Sequence, residues 1–575
     1  MSDEDTPQDG IEEGKRLIRQ GGSGGLSLAE RVSERFRRLA WRTPLHAFRL
    51  RGRHPLKLVA VPEDPFIGDP RRGNALLEGR VMFRGESVAF DDLDFAKPNW
   101  SPAFGDYVHG FAWLRDLATV APRAIGVPVA EALMRAWLAI HAEKIGEPAW
   151  NAEMWGRRIL HWTAHAPLIL SSSDLIYRSL VLNTLARGAR HLDRVADKAP
   201  AGLPRVAAWC GVIAAGLLIP GGDTRRQIGE DGLTRAIEQA VYEDGGVVAR
   251  APYVQLDIIM LLTMLRAVYD TRRLAPPAAL SAALGRMVPA LQGVCHADHG
   301  LSSWQGGGPV RSERIDEVVA ATGVRARPLR QARDWGYQRL AQGEAVVIMD
   351  AAPPPIARLA AGGCASTLAF EMSDGPERLV VNCGGARAAI AQIPHALADG
   401  LRTTAAHSTL VVGDSNSTAI HADGTFGRGV AEVEQARQES AGGSRIEASH
   451  DGYVRRFGFL HRRQLLLAAD GRELRGDDML LPAGRRRKNA ANTFAIRFHL
   501  GPGVEAAPTA DGMAALLRLP SGKLWQFRCR GGGLTIEESL WIDPDGRPVS
   551  TQQLVVLGEA TAGGESIAWA LKRAT

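Results

Sequence analysis

Apolar residues recur every three or four positions through the first half of the chain and every second position through the second half. Leu114, Leu117 and Val120 fall on one helical face, as do Leu133, Trp137 and Ile140. The same spacing groups Leu180, Leu182 and Leu185, then Val206, Ala207, Cys210, Ile213 and Ala214. It is longest in Leu256, Ile259, Leu262, Leu265 and Val268. A period near 3.6 predicts amphipathic helices. Turn sequences such as Pro220-Gly-Gly-Asp223 and Glu243-Asp-Gly-Gly246 separate them. Consecutive helices on short loops predict a toroid or solenoid. No repeat of fixed period is present, which excludes a regular repeat protein.

Beyond Trp335 the pattern changes. Glu344-Ala-Val-Val-Ile-Met349, Leu379-Val-Val381, Phe459 to Leu467, Phe494 to Leu500 and Leu524 to Cys529 alternate or run apolar between Gly, Asp and Asn. This is the pattern of an antiparallel β-sandwich. Within it, Leu368 to Gly384 reads as strand, Asp-Gly-Pro turn and strand, and His407 then stands at the head of a further strand. The expected order is a flexible tail (1–35), a cap segment (36–100), a helical toroid (101–305), a linker (306–334) and a sandwich (335–575). The fold class is multidomain, α then β.

At 575 residues the chain is too long for one core, and 45% hydrophobic with 23% charged residues describes a globular protein. No apolar run reaches the roughly 18 residues that span a bilayer, so no integral membrane segment is expected. The N-terminus, acidic and then Gly/Ser-rich, lacks the apolar core of a secretory signal. A net charge of +6 permits an anionic partner and names none. The basic runs Arg35-Phe-Arg-Arg38, Arg49 to Arg53 and Arg485-Arg-Arg-Lys488 are dispersed, which argues against nucleic acid. Five scattered cysteines form neither a disulfide framework nor a CxxC metal knuckle.

The order of elements, together with Phe111-Ala-Trp-Leu-Arg115, Asp244-Gly-Gly246, Leu368-Ala-Phe370, Val381-Asn-Cys-Gly384, Ala406-His-Ser-Thr-Leu410 and His461-Arg-Arg463, resembles the heparinase II/III-like polysaccharide lyases. The resemblance implies an (α/α) toroid followed by a β-sandwich. It implies an enzyme that cleaves a uronate-containing, acidic polysaccharide by β-elimination. In such chemistry a base removes the proton beside the uronate carboxylate, a polar side chain neutralises that carboxylate, and a Tyr protonates the leaving oxygen. It also implies the cell envelope or periplasm, against which the missing signal leaves a cytoplasmic protein open.

Carried over by position, the resemblance assigns catalysis to His407 and Tyr253. Leu203 and Pro204 stand where the family has Asn-His, leaving neighbouring Arg205 to meet a carboxylate, with Arg250 as a second clamp. Tyr253 falls one residue before the family's position, which Val254 occupies. His296 and His299, in Cys295-His-Ala-Asp-His299, become substrate contacts, as do Trp304 and Arg402. Gly362, Cys364 and Ser366 replace the family's His-x-His-x-Asp. Cys364, Asn382 and His407 are left as the implied zinc ligands. Trp155, Trp162 and Trp209 could stack on sugars or pack in the core, and Asp451, Tyr453 and His461 are candidates on the sandwich face. These departures support the alternative of a catalytically degenerate glycan-binding protein on the same fold. A toroid glycosidase, seeded by Glu243 and Asp244, ranks last.

Overall fold

The computed structural model describes residues 11–12, 14–19, 44–52, 55–356, 362–385, 387, 393–484 and 492–574. The basic runs at 35–38 and 485–488, and Arg53, lie outside the described residues.

The helical half runs from Pro102–Gly110 to Ala278–Gly293. Its helices begin where the sequence supplies caps. Ser101 accepts from the Phe104 amide, Asn151 from Met154, and Asp174 from Ile176 and Tyr177. Each satisfies amides that the first turn leaves unpaired. The helix Leu203–Leu218 is buried from Val206 to Leu218 and forms the hub of the toroid. It crosses Ala152–Ala164 so closely that a Cβ at Gly156 would stand 2.0 Å from the Ala207 carbonyl oxygen. Two helices, Arg123–His141 and Pro252–Arg272, are long and apolar enough to cross a membrane by composition. The second is 72% buried inside the fold, and the first buries one face through Leu133, Met134, Trp137 and Leu138.

The C-terminal half packs two antiparallel sheets. One runs in spatial order Gly14–Arg19, Glu432–Ser440, Gly443–His450, Phe459–Ala468, Glu473–Pro482, Glu565–Arg573, Leu524–Arg530, Ala514–Arg518 and Glu505–Pro508. The other runs Gly533–Ile542, Pro548–Ala560, Asn492–Leu500, Glu377–Val381, Phe370–Asp374, Ala345–Asp350 and Tyr337–Gln342, with Leu410–Val412 also on Asn492–Leu500. Phe370, Phe498, Phe527 and Trp569 stack between them. An α toroid followed by a β-sandwich is therefore the architecture.

Two stretches differ from expectation. Gly14–Arg19, expected within a flexible tail, pairs antiparallel with Glu432–Ser440 and covers that sheet edge. The expected linker contains the helix Ser312–Thr322, which buries Ile315 and Val318 and ends at Gly323 in the left-handed conformation (φ 64°).

Candidate functional site at the toroid–sandwich junction

Two toroid helices present polar stripes. On Ala152–Ala164, Glu153, Arg157, His161 and the C-cap His165 follow at four-residue intervals and so share a face. On Pro252–Thr271, Tyr253 and Asp257 lie one turn apart. Arg157 ties the two helices together, its Nη2 standing 3.0 Å from Glu153 and 3.1 Å from Asp257. The sandwich contributes Arg387, whose guanidinium lies 5.4 Å from the Tyr253 ring centre and 3.8 Å from the Asp106 carboxylate. The loop at Gly307 packs on the same ring, where a Cβ would come within 2.8 Å of Tyr253 Cδ1. Arg84, in the turn between Arg80–Phe83 and Glu86–Ala89, adds a charge felt by Arg387, Asp257 and Tyr253.

The fields here are mixed. Burial first, and then Glu153, pushes the Asp106 carboxyl up to about 6. Burial raises the Tyr253 phenol, and Arg387 opposes that shift. Tyr253, ahead of the Asp106 and Glu153 carboxylates, holds Arg387 more firmly charged. About two-fifths of the Arg387 and Asp106 side-chain surface stays open to solvent. The cluster thus offers an accessible guanidinium beside a protonated phenol, donors suited to a carboxylate and its neighbouring hydroxyls.

Of the residues singled out from sequence, Tyr253 belongs to this cluster. Cys364 lies near that phenol. His407 is buried, with Nδ1 2.7 Å from the Thr403 carbonyl oxygen, and burial lowers its pKa to about 4, so it is neutral at neutral pH. Burial pushes the Cys364 thiol up to about 12. Asn382 gives both ends of its carboxamide to the fold, donating to Glu371 at 3.0 Å and accepting from the Ser408 amide at 3.0 Å. As a zinc ligand its Oδ1 would have to share with the Ser408 amide.

The other expected substrate contacts spend their polar atoms elsewhere. Arg250 is buried and donates to Trp335, Ala352 and Pro353 carbonyls and to Asp350 at 2.6 Å. His296, equally buried, meets Glu371 at 2.9 Å, whose carboxyl burial pushes up to about 7. Arg402 donates to the Gly363 and Gly424 carbonyls. Trp304 is buried and donates to Ser302 Oγ. Arg205 chelates the Ala199 carbonyl and reaches Gln239. His299 is exposed and pairs with Asp316 at 3.1 Å. Trp155 and Trp162 are buried around the Arg158 guanidinium, and Trp209 is buried too. Asp244 accepts the Asp334 and Trp335 amides. His461 lies buried between His450 and Asp478, Tyr453 donates to the Leu410 carbonyl, and Asp451 accepts the Ala431 amide.

Arg84, Asp106, Glu153, Arg157, Asp257 and Arg387 were not singled out from sequence. The four-residue stripe Glu153, Arg157, His161, His165 was the available signal, since a helix that buries a charged face must pair it.

A family model described as Heparinase II/III-like, C-terminal, matches residues 324–570. FtsZ-localized protein C of Caulobacter vibrioides (strain NA1000 / CB15N) is 30% identical over 561 residues, covering 92% of both chains. Among solved structures, a heparinase III superposes with a TM-score of 0.66 at 13% identity, covering 97% of this chain and 93% of that one. A mutant of the heparan sulfate lyase HepC of Pedobacter heparinus gives 0.59 at 14% identity, covering 88% and 82%. At such identities these structures establish the shared fold.

Proposed function

The chain belongs to the heparinase II/III-like family, and from that premise we propose that it binds a carboxylate-bearing glycan at the toroid–sandwich junction without cleaving it. One observation carries this reading. Arg250, His296, Trp304 and Arg402, four of the residues a lyase would turn toward its substrate, are buried and bonded to the protein itself, while Arg387 keeps about two-fifths of its side chain open to solvent beside the half-buried Tyr253. Elimination requires the uronate carboxylate to be neutralised while a base removes the adjacent proton. The Leu203-Pro204 pair supplies no such group, and nearby Arg205 is bonded to Ala199 and Gln239. A single accessible Arg beside a Tyr suffices to hold a carboxylate. The name of the Caulobacter relative supports a role at sites where FtsZ assembles, and co-localisation with FtsZ is the corresponding expectation for this chain.

Elimination is the second reading, favoured by a His407 that is neutral at neutral pH and could accept a proton. The test separates the two. Purified protein is incubated with heparan sulfate, alginate, hyaluronan and bacterial exopolysaccharides while the ultraviolet absorbance of unsaturated uronate is followed, with calorimetry in parallel. Binding with a flat trace, weakened by Arg387→Ala, is the expected result. A rising trace abolished by Tyr253→Phe or His407→Ala would establish a lyase. No binding to any member of the panel would remove the glycan proposal.

A further inference from the structure

The polar stripe of the helix Ala152–Ala164 continues inward from the junction to His161 and His165, where Asp64 of the N-terminal cap segment meets them. One ligand-capable atom from each of the three lies within 4.8 Å of the other two. His165 Nε2 is 3.0 Å from Asp64 Oδ2. All three side chains are buried, those of Asp64 and His165 at 6% and 8% exposure. His161 Nδ1 is enclosed and has no hydrogen-bond partner. An unmet imidazole nitrogen in such a place costs free energy unless something else satisfies it.

We propose that Asp64, His161 and His165 form a binding site for a first-row divalent transition ion of the zinc type. The donor chemistry fits, because two imidazoles and a carboxylate are borderline ligands suited to zinc and its neighbours. Two histidines four apart on a helix face the same way, as in other helical metal sites. With bonds of about 2.0 to 2.2 Å, ligand atoms around a tetrahedral ion sit about 3.3 Å apart. The Asp64–His165 separation of 3.0 Å lies close to that value, and the three atoms, within 4.8 Å of one another, would need only small side-chain shifts to reach it. A three-ligand set leaves one position open to water or a small donor.

Arg115 acts in both directions. It donates to the two Asp64 oxygens at 2.9 and 3.0 Å, which fixes the carboxylate as an outer-shell partner does. Its positive charge also opposes a cation, so the affinity lies below that of a site without an arginine. The site is separate from Cys364, Asn382 and His407 in the sandwich.

The test uses the full chain stripped with chelator and titrated with Co2+ as a spectroscopic probe, alongside Zn2+ calorimetry. Expected are visible d–d bands without a thiolate charge-transfer band, saturation at one ion per chain, and a rise in Tm on adding Zn2+. All three are lost in His161→Ala and retained in Cys364→Ser. His161→Gln, which keeps most of the volume, is the second variant, and circular dichroism establishes that each is folded. Failure of wild-type protein to bind either ion overturns the proposal. So does binding that survives in folded His161→Ala or His161→Gln, or a spectrum with a thiolate band lost in Cys364→Ser.

Discussion

Replacing Arg250 by Met decides whether this residue is a substrate clamp or a junction staple. Its guanidinium is buried against the Asp350 carboxylate at 2.6 Å, and Asp350 itself is 0% exposed. Asp350 Oδ2 also accepts from Ser366 at 2.7 Å and Gln305 at 3.2 Å, so the carboxylate stays in place when the arginine goes. Removing one partner of a buried ion pair costs about 3–5 kcal/mol, because the other charge is left uncompensated. The Trp335 and Pro353 carbonyls lose the Arg250 donor in the same step, and Ala352 is left with Thr367 alone. Arg250→Met should therefore lose at least about 4 kcal/mol. Urea unfolding followed by tryptophan fluorescence reads this as a fall in midpoint at constant slope. Arg250→Lys should not rescue, since a single ammonium cannot span those acceptors. Adding Asp350→Leu to Arg250→Met should restore part of the loss by removing the orphaned charge. The reasoning fails if Arg250→Met unfolds within about 1 kcal/mol of the wild type while its glycan binding collapses.

Three further outcomes are expected. Arg387→Ala should weaken glycan binding by about tenfold or more, as loss of a charge-assisted hydrogen bond does, with Tm unchanged; calorimetry and a thermal melt check both. Asp106 holds its proton to about pH 6 in the folded chain, above its ordinary 3.8. Its stabilising contribution is therefore fully present below about pH 4 and is lost as pH rises through 6. Binding of an anionic glycan should strengthen as pH falls from 7 to about 5.5, and Asp106→Asn should remove that dependence. Gly156→Ala forces a methyl against the Ala207 carbonyl and should cost about 1–3 kcal/mol of stability in urea unfolding.

Helix and strand were legible because their signals are local. The run Leu256, Ile259, Leu262, Leu265 and Val268 reports its helix without reference to any other part of the chain, and all five side chains are buried. The strand Gly14–Arg19 was missed because its partner lies more than four hundred residues on, at Glu432–Ser440. The helix Ser312–Thr322 was hidden by an arginine-rich surround, although Ile315 and Val318 carry its spacing. Side-chain roles were least legible. Arg250 turns to Asp350, one hundred residues away. His296 meets Glu371 and Trp304 meets Ser302, and none of these pairings leaves a periodic trace.

Those pairings have a consequence for binding. Arg250 with Asp350, His296 with Glu371, and Asp244 with the Trp335 amide pin toroid to sandwich at three places, all through buried or half-buried groups. A junction pinned in this way resists the domain rotation by which a hinged enzyme closes over its substrate. What it gains is preorganisation, since Arg387 and Tyr253 come from the two sides of the junction and are held 5.4 Å apart before any ligand arrives. On the proposed reading, such a junction would hold a carboxylate without enclosing it, whereas a lyase must exclude water around its reacting carbon.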